Sequence, residues 1–482
     1  MLQWALSKKT FIALIILSLC AFACIGLGSK SSLYAQTQTG SSFIDSRIST
    51  AHLSGKYPKF DTGYLVTGAK EAQELGFQSI EIFLHPAICW ADNSKQKGIY
   101  QTVDWCRHTE PYGPEPTTLA NNLTELASHP RYKEFFALPF KTVLVTAETI
   151  RKKNGSNYFL QIAFNEFTPE ELDALYKDFY DLTIHLLSTY KKSGKTIILQ
   201  TPNEMDWSML GTFDTTRTPT PLAIKNATSY WNTIQNAVND AKTTIPEDGI
   251  KVYHGCELNL AQKAMKGATT ATNDVLPNTH CDLYGYSAYD TVLMNVSNSA
   301  DTSGLTKALD YIASKAPDSK DFGNKNVYIS EIGIAERPYP TIDTGLLLTK
   351  YISQALSWGT PLVNTWALYD NECTVYLPTS NDSCPGYWVK KPDGSLSNTF
   401  QNIKAKFIII PTPTLTTNRQ VLSCDPNKDG EVSQQDFQYW KDELVGEKTT
   451  KLTDCFHPDE IVDILDFQVW KDVAISRVRA PF

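Results

Sequence analysis

The chain has 482 residues, enough for one large domain with a smaller companion, and its 11% aromatic and 20% charged content excludes a disordered chain. The formal net charge is −8 at pH 7, and the body is more acidic still, because the first 35 residues carry Lys8, Lys9 and Lys30 and no acid. An acidic body argues against nucleic acid or an anionic membrane as the main partner and leaves neutral ligands open.

Taken in order, the N-terminus reads as an export signal. Lys8 and Lys9 precede an apolar run from Phe11 to Leu27, and Leu33-Tyr34-Ala35 offers a cleavage point before Gln36, so residues 1–35 form a leader. The run is long for a signal peptide, and an uncleaved membrane anchor is the competing reading. After a polar stretch, Gln36–Ser42, the first predicted strand is Phe43–Ile48. Leu65–Leu75 has helical periodicity and stops at Gly76. Ser79–Leu84 is a strand, Leu119–Phe136 holds a helix broken near Pro130, and Thr142–Val145 is a strand. Thr168, with Glu171 at the capping-box position, opens a helix to Lys192 that stops at Gly194. Strands follow at Thr196–Leu199, Ile250–Tyr253, Cys281–Tyr286, Val327–Ile329 and Pro361–Trp366, separated by helices at Tyr230–Thr243, Leu305–Lys315 and Leu346–Trp358. Strands alternating with helices predict a parallel α/β fold, and the count fits a closed (β/α)8 TIM barrel over residues 36–410. No GxGxxG follows a strand, so a dinucleotide fold lacks its fingerprint.

Of the ten cysteines, Cys20 and Cys24 lie in the leader. The others fall in close pairs: Cys89 with Cys106, Cys256 with Cys281, Cys373 with Cys384 and Cys424 with Cys455. An exported chain with an even count favours disulfides, and neighbour pairing is one of many connectivities. Zinc is the weaker reading, because no CxxC spacing occurs. At Pro411–Gln420 the composition turns Pro/Thr-rich, which reads as a linker. Beyond it, in residues 421–482, Asp436–Glu443 (DFQYWKDE) recurs as Asp466–Val473 (DFQVWKDV), the mark of a duplicated unit.

Two strand ends carry acids in a pattern that points to chemistry. Thr196–Leu199 runs on to Asn203 and Glu204, and Val327–Ile329 runs into Glu331, followed by Gly333. Hydrolysis of a glycosidic bond needs two carboxyl groups flanking it, one to protonate the leaving oxygen and one to attack carbon or activate water. A parallel barrel presents such groups at the carboxyl ends of its strands. In these motifs, their order and their spacing, residues 42–406 resemble clan A glycoside hydrolases, the superfamily that includes cellulases and mannanases.

The resemblance implies that Glu204, ending the fourth strand, is the acid/base, that Asn203 binds the sugar's 2-hydroxyl, and that Glu331, ending the seventh, is the nucleophile. Ile332 stands where the family usually has an aromatic residue. Ser287-Ala288-Tyr289 occupies the place of His-x-Tyr, which implies a hydrogen bond from Tyr289 to the nucleophile, with Tyr286 the competing choice. Trp366, at the end of the eighth strand, corresponds to an aromatic floor under the sugar. His85, ending the second strand, is a candidate for the same cleft, against a structural role. Glu257, in HGCELNL after the fifth strand, is the rival carboxylate, in a loop that a Cys256–Cys281 bridge would staple.

The tail carries a metal signature. Asp425, Asn427, Asp429, Gly430, Glu431 and Asp436 fit D-x-N-x-D-G with a closing acid, hard oxygen ligands spaced for Ca2+, with Glu431 binding through its backbone carbonyl. A closing Asp followed by one helix, Phe437–Leu444, resembles the dockerin module of cellulosomes, which implies a cohesin-type scaffold partner. The second repeat departs from the pattern: Cys455, His457 and Glu460 stand at its first, third and Gly positions, and Asp459, Asp463 and Asp466 remain. There is no GxSxG, HExxH or P-loop. The expectation is therefore a secreted, retaining glycosidase, endo-acting on polysaccharide, with no cofactor in catalysis. The rival is an inactive barrel serving as a glycan-binding or scaffold-attached protein.

Overall fold

Alternation along the strands sorts their residues into two layers. In the computed structural model, residues 43–52, 64–84, 122–149, 162–298, 301–374, 378–409 and 434–444 are described. Eight strands, β1 Ile48–Ala51, β2 Ser79–Leu84, β3 Thr142–Ala147, β4 Lys195–Gln200, β5 Ile250–Leu258, β6 Leu283–Ser287, β7 Val327–Ile332 and β8 Val363–Thr365, pair in chain order. Every pair is parallel, and β8 closes on β1 through Ile48–Val363, Ser49–Asn364 and Thr50–Thr365. The predicted (β/α)8 TIM barrel is the observed fold.

On β3, Val143, Val145 and Ala147 face the surrounding helices, while Leu144 fills the barrel with Ile198, Tyr253, Leu283, Tyr328 and Leu362. The same alternation on β2 sends Ile80, Ile82 and Leu84 outward. It leaves Ser79, Glu81 and Phe83 for the interior. Gly255 on β5 is required by a close approach: a Cβ there would lie 2.5 Å from the Tyr328 hydroxyl across the barrel. Both layers remove apolar area from water, about 25 cal/mol per Å2.

Helix signals hold locally. Tyr64–Glu74 is followed by Gly76 at φ 102°, and Pro169–Thr189 begins with the complete Thr168–Glu171 capping box and is followed by Gly194 at φ 72°. The break near Pro130 is real: Leu123–Ala127 and Pro130–Ala137 are separate helices, with Pro130 opening the second.

The first strand is a correction. Phe43–Ile44 pairs antiparallel with Ile408–Ile409, and the barrel strand is Ile48–Ala51. Arg47 folds back on Asp45 through its backbone and side chain and turns the chain between the two segments. The predicted helix at Tyr230–Thr243 starts earlier, at Pro221, capped by Thr220. Cys281 precedes β6, and the bridges Cys256–Cys281 and Cys373–Cys384 are both formed. Cys89, Cys106, Cys424, Cys455, the leader and the linker lie outside the described residues.

Residues 42–409 form one compact unit. Outside it, the described residues form the helix Gln434–Leu444, which contains the predicted Phe437–Leu444. Among the described residues, no helix is long and apolar enough to cross a membrane.

Candidate active site

The carboxyl ends of the strands bring together residues far apart in sequence. After β4, Thr201 and Pro202 lead to Asn203 and Glu204, and a helix, Met205–Leu210, begins at once. Glu204 takes the left-handed conformation, φ 53° and ψ 73°. Such a conformation costs a residue with a Cβ roughly 1–2 kcal/mol, so it persists only where surroundings hold it. Two holds are visible. The Glu204 N–H donates to Glu257 Oε2 at 2.8 Å, and the Ser287 hydroxyl donates to Glu204 Oε1 at 2.7 Å. Asp206, two residues on, is buried and accepts from the backbone N–H groups of Asn259, Leu260 and Ala271, which ties the loop after β5 to the end of β4.

Glu331 lies within β7, not after it. Strict alternation would place it on the face of Val327 and Ile329, toward the helices. The register shifts instead: Tyr286 pairs with Ile329 but Ser287 pairs with Glu331, so Ser330 is the extra residue of a bulge. A bulge re-aims the side chain that follows it, here toward the barrel mouth. With its amide nitrogen turned toward the carboxylates, Asn203 donates to Glu331 Oε1 and to Glu257 Oε2, each at 3.2 Å. Asn203, Glu204, Glu257 and Glu331 thus form one connected group.

The electrostatics follow from crowding. Burial, reinforced by the charges of Glu257, Glu204, Glu81 and Glu372, pushes the Glu331 carboxyl well above the usual range. Burial also raises Glu204, opposed by hydrogen bonds from Ser287 and Trp207. Burial and the charge of Glu204 raise Glu257 strongly. Glu81 is pushed up to about 8 by burial, against hydrogen bonds from Thr146 at 2.6 Å and Asn364 at 2.6 Å. Carboxylates linked through one amide do not all ionise together as readily as isolated ones, so each raises its neighbours.

Two aromatic residues frame the mouth. Trp366 follows β8, is partly exposed, and packs edge-on to Phe83, with its Nε1 donating to Asn371 at 3.2 Å. Tyr289, at the start of the short helix Tyr289–Val292, packs edge-on to Tyr387. Burial and the charge of Glu331 push its phenol well above the ordinary value. Among the described residues no hydrogen bond joins Tyr289 to Glu331. Tyr286, the competing choice, hydrogen-bonds Asp290 and Thr291 instead.

Tyr387 comes from the segment after β8. Its N–H and that of Gly386 donate to the buried Asp370 at 2.9 and 2.6 Å, and Cys373–Cys384 closes the same segment. A Cβ on Gly333 would meet the Trp366 carbonyl at 3.0 Å and Tyr387 Cδ1 at 3.1 Å, which shows how tightly the chain after Glu331 passes these rings.

Sequence reasoning treats Glu257 as a loop carboxylate. That is corrected: β5 extends to Leu258, and Glu257 is a buried interior residue of the strand. Alternation with Tyr253 and Gly255 is the signal that could have found it, and the same rule finds Glu81. Ser287 stands in the sequence at the His place of the His-x-Tyr pattern, with no role assigned to it there, and Tyr387 carries no comparable signal as a site residue. His85 lies outside the described residues, as do Asp425, Asn427, Asp429 and Glu431. Asp436 falls on the helix Gln434–Leu444, and its side chain is not described.

No known protein-family signature matches the chain, and no curated protein matches it. Among solved structures, a GH5_18 protein from Streptomyces cattleya in complex with GlcNAc is 10% identical, covering 75% of this chain and 80% of its own, with a TM-score of 0.47. The exo-beta-1,4-mannosidase Op5Man5 from Opitutaceae bacterium strain TAV5 is 11% identical over 76% of this chain and 60% of its own, with a TM-score of 0.46. A GH5-4 broad specificity endoglucanase from Clostridium acetobutylicum is 14% identical over 71% of this chain and 88% of its own, with a TM-score of 0.42. The likeness is one of barrel architecture, and the roles of residues rest on this chain's own geometry.

Proposed function

We propose that the barrel is a retaining glycoside hydrolase, endo-acting on a polysaccharide. The observation that carries the reading is the Asn203 amide bonded to Glu331 Oε1 while its chain neighbour Glu204 enters the same mouth. Glu331 attacks the anomeric carbon as the bond from that carbon to the leaving oxygen breaks, and Glu204 gives its proton to that oxygen. Glu204 then takes a proton from the water that attacks the anomeric carbon, and Glu331 is released as carboxylate. The raised Glu204 carboxyl suits the acid role, and the Asn203 amide on Glu331 Oε1 favours the ionised form that attack requires. In this reading Trp366 and Tyr387 supply apolar faces for the ring, and Asn203 is the ligand of its 2-hydroxyl.

The test is a panel of chromogenic glycosides and polysaccharides, followed by Glu331→Ala. Turnover should vanish in the variant, and azide should restore it with a product of inverted configuration. No turnover by the unaltered protein on any substrate would favour the inactive, glycan-binding barrel instead. For the tail we propose calcium-dependent docking to a cohesin-type scaffold by a secreted chain. Its support is the ligand spacing of Asp425, Asn427, Asp429, Glu431 and Asp436.

A further inference from the structure

Resting on that reading of the catalytic pair, we propose that Glu257 is their shared positioning residue: it anchors the Asn203–Glu204 turn from β5 and, through its own charge, governs the charge that Glu331 carries across the mouth.

The geometry is specific. One oxygen, Glu257 Oε2, accepts both the Glu204 N–H at 2.8 Å and the Asn203 amide at 3.2 Å. The first bond fixes a peptide whose residue stands at φ 53°, a conformation that few residues with a Cβ adopt. The second orients the same amide that reaches Glu331 Oε1 at 3.2 Å. Glu257 therefore acts on the acid/base through its backbone and on the nucleophile through Asn203. It is wholly buried on a barrel strand, where a side chain is held more rigidly than on a loop. The two N–H donors on this oxygen favour the ionised form of Glu257, against the burial that raises its carboxyl.

The groups facing the pair are few in kind. Toward Glu331 stand Glu257, Glu204, Glu81 and Glu372, and the phenol of Tyr289 lies beside it. Toward Glu257 stand Glu204 and Glu81, the Ser330 hydroxyl and the Tyr328 phenol. One amide, that of Asn203, bridges the two carboxylates with a 3.2 Å bond to each, so removal of the Glu257 charge should be felt at Glu331.

The decisive experiment needs no substrate. The full-length protein labelled with 13C at glutamate carboxyls is titrated by NMR, with Glu331 assigned through Glu331→Gln. In folded Glu257→Gln, the Glu331 midpoint should fall by roughly one pH unit or more, as expected for a close like charge removed. Because coupling is reciprocal, the Glu257 midpoint, assigned through Glu257→Asp, should fall by a similar amount in Glu331→Gln. This second measurement stands if Glu257→Gln does not fold. An unmoved midpoint in either folded variant overturns the proposal.

If the barrel is active, the acid limb of kcat/KM in Glu257→Gln should move to lower pH with the NMR midpoint. Glu257→Asp keeps the charge but shortens the reach, so it should leave the Glu331 midpoint near its original value while lowering kcat about tenfold. Midpoints that move in a protein with no activity on any glycoside would retain the coupling and reject the hydrolase reading. An unmoved midpoint in an active enzyme would do the reverse.

Discussion

The Ser287 hydroxyl donates to Glu204 Oε1 at 2.7 Å, joining the end of β6 to the residue that follows β4. A donor to a carboxylate favours its ionised form, so the bond lowers a group that burial raises. Ser287→Ala should therefore raise the Glu204 carboxyl further and move the alkaline limb of kcat/KM to higher pH. A lost hydrogen bond of about 1 kcal/mol corresponds to roughly a fivefold loss in kcat/KM. Profiles measured on one chromogenic substrate would decide it, and an unmoved alkaline limb would separate Ser287 from Glu204 as the proposed acid.

Glu204→Ala should spare substrates with good leaving groups and cripple those with poor ones, because a good leaving group needs little protonation. With azide, the variant should yield a glycosyl azide of retained configuration, the opposite outcome to that expected for Glu331→Ala. Equal losses on both kinds of substrate would count against Glu204 as the acid.

Gly333→Ala tests how closely the ring-bearing segments pass Glu331. The new Cβ would sit 3.0 Å from the Trp366 carbonyl and 3.1 Å from Tyr387, so each must give by a few tenths of an ångström. The expected result is a fold that survives with kcat/KM down about tenfold, since small misplacements in a site are costly. Melting curves and steady-state kinetics on the same preparation check both halves.

Glu81 makes the barrel's stability depend on pH. Its carboxyl is raised from 4.5 to about 8 in the folded protein, chiefly by burial. The folded state holds this proton more tightly than the unfolded chain does. The stabilisation is therefore complete below pH 4.5 and is lost as pH rises toward 8, at about 1.4 kcal/mol per unit while the difference lasts. The melting temperature should fall between pH 5 and 8 from this group, and Glu81→Gln should make that fall shallower. A steeper fall in the variant would reverse the sign and refute the assignment.

For the tail, calorimetry of the full-length chain should find one tight calcium site, and EDTA should lower a separable melting transition by linkage. If the proposed glycosidase activity is found, it should survive EDTA. Two tight sites would mean that the repeat containing Cys455 and His457 retains its ligands, and none would remove the dockerin-like reading.

The positions of Asn203, Glu204 and Glu331 at the strand ends are legible in the sequence because they depend on local patterns, short apolar runs that end in polar residues. The strand count, the Thr168 capping box and the stops at Gly76 and Gly194 are local in the same way, and the closed barrel follows from their alternation. Glu81 and Glu257 are half-legible, since alternation sends them inward but says nothing of which residues await them there. What the tertiary structure decided is contact across the barrel. A one-residue bulge at Ser330 turns Glu331 into the mouth, Ser287 reaches Glu204 from two strands away, and the segment after β8 folds back on Asp370 to bring Tyr387 beside Tyr289. Such contacts depend on register and closure, which no single stretch of chain contains. The charge of each glutamate depends in turn on those contacts, because burial and neighbouring carboxylates, not residue type, set where it titrates.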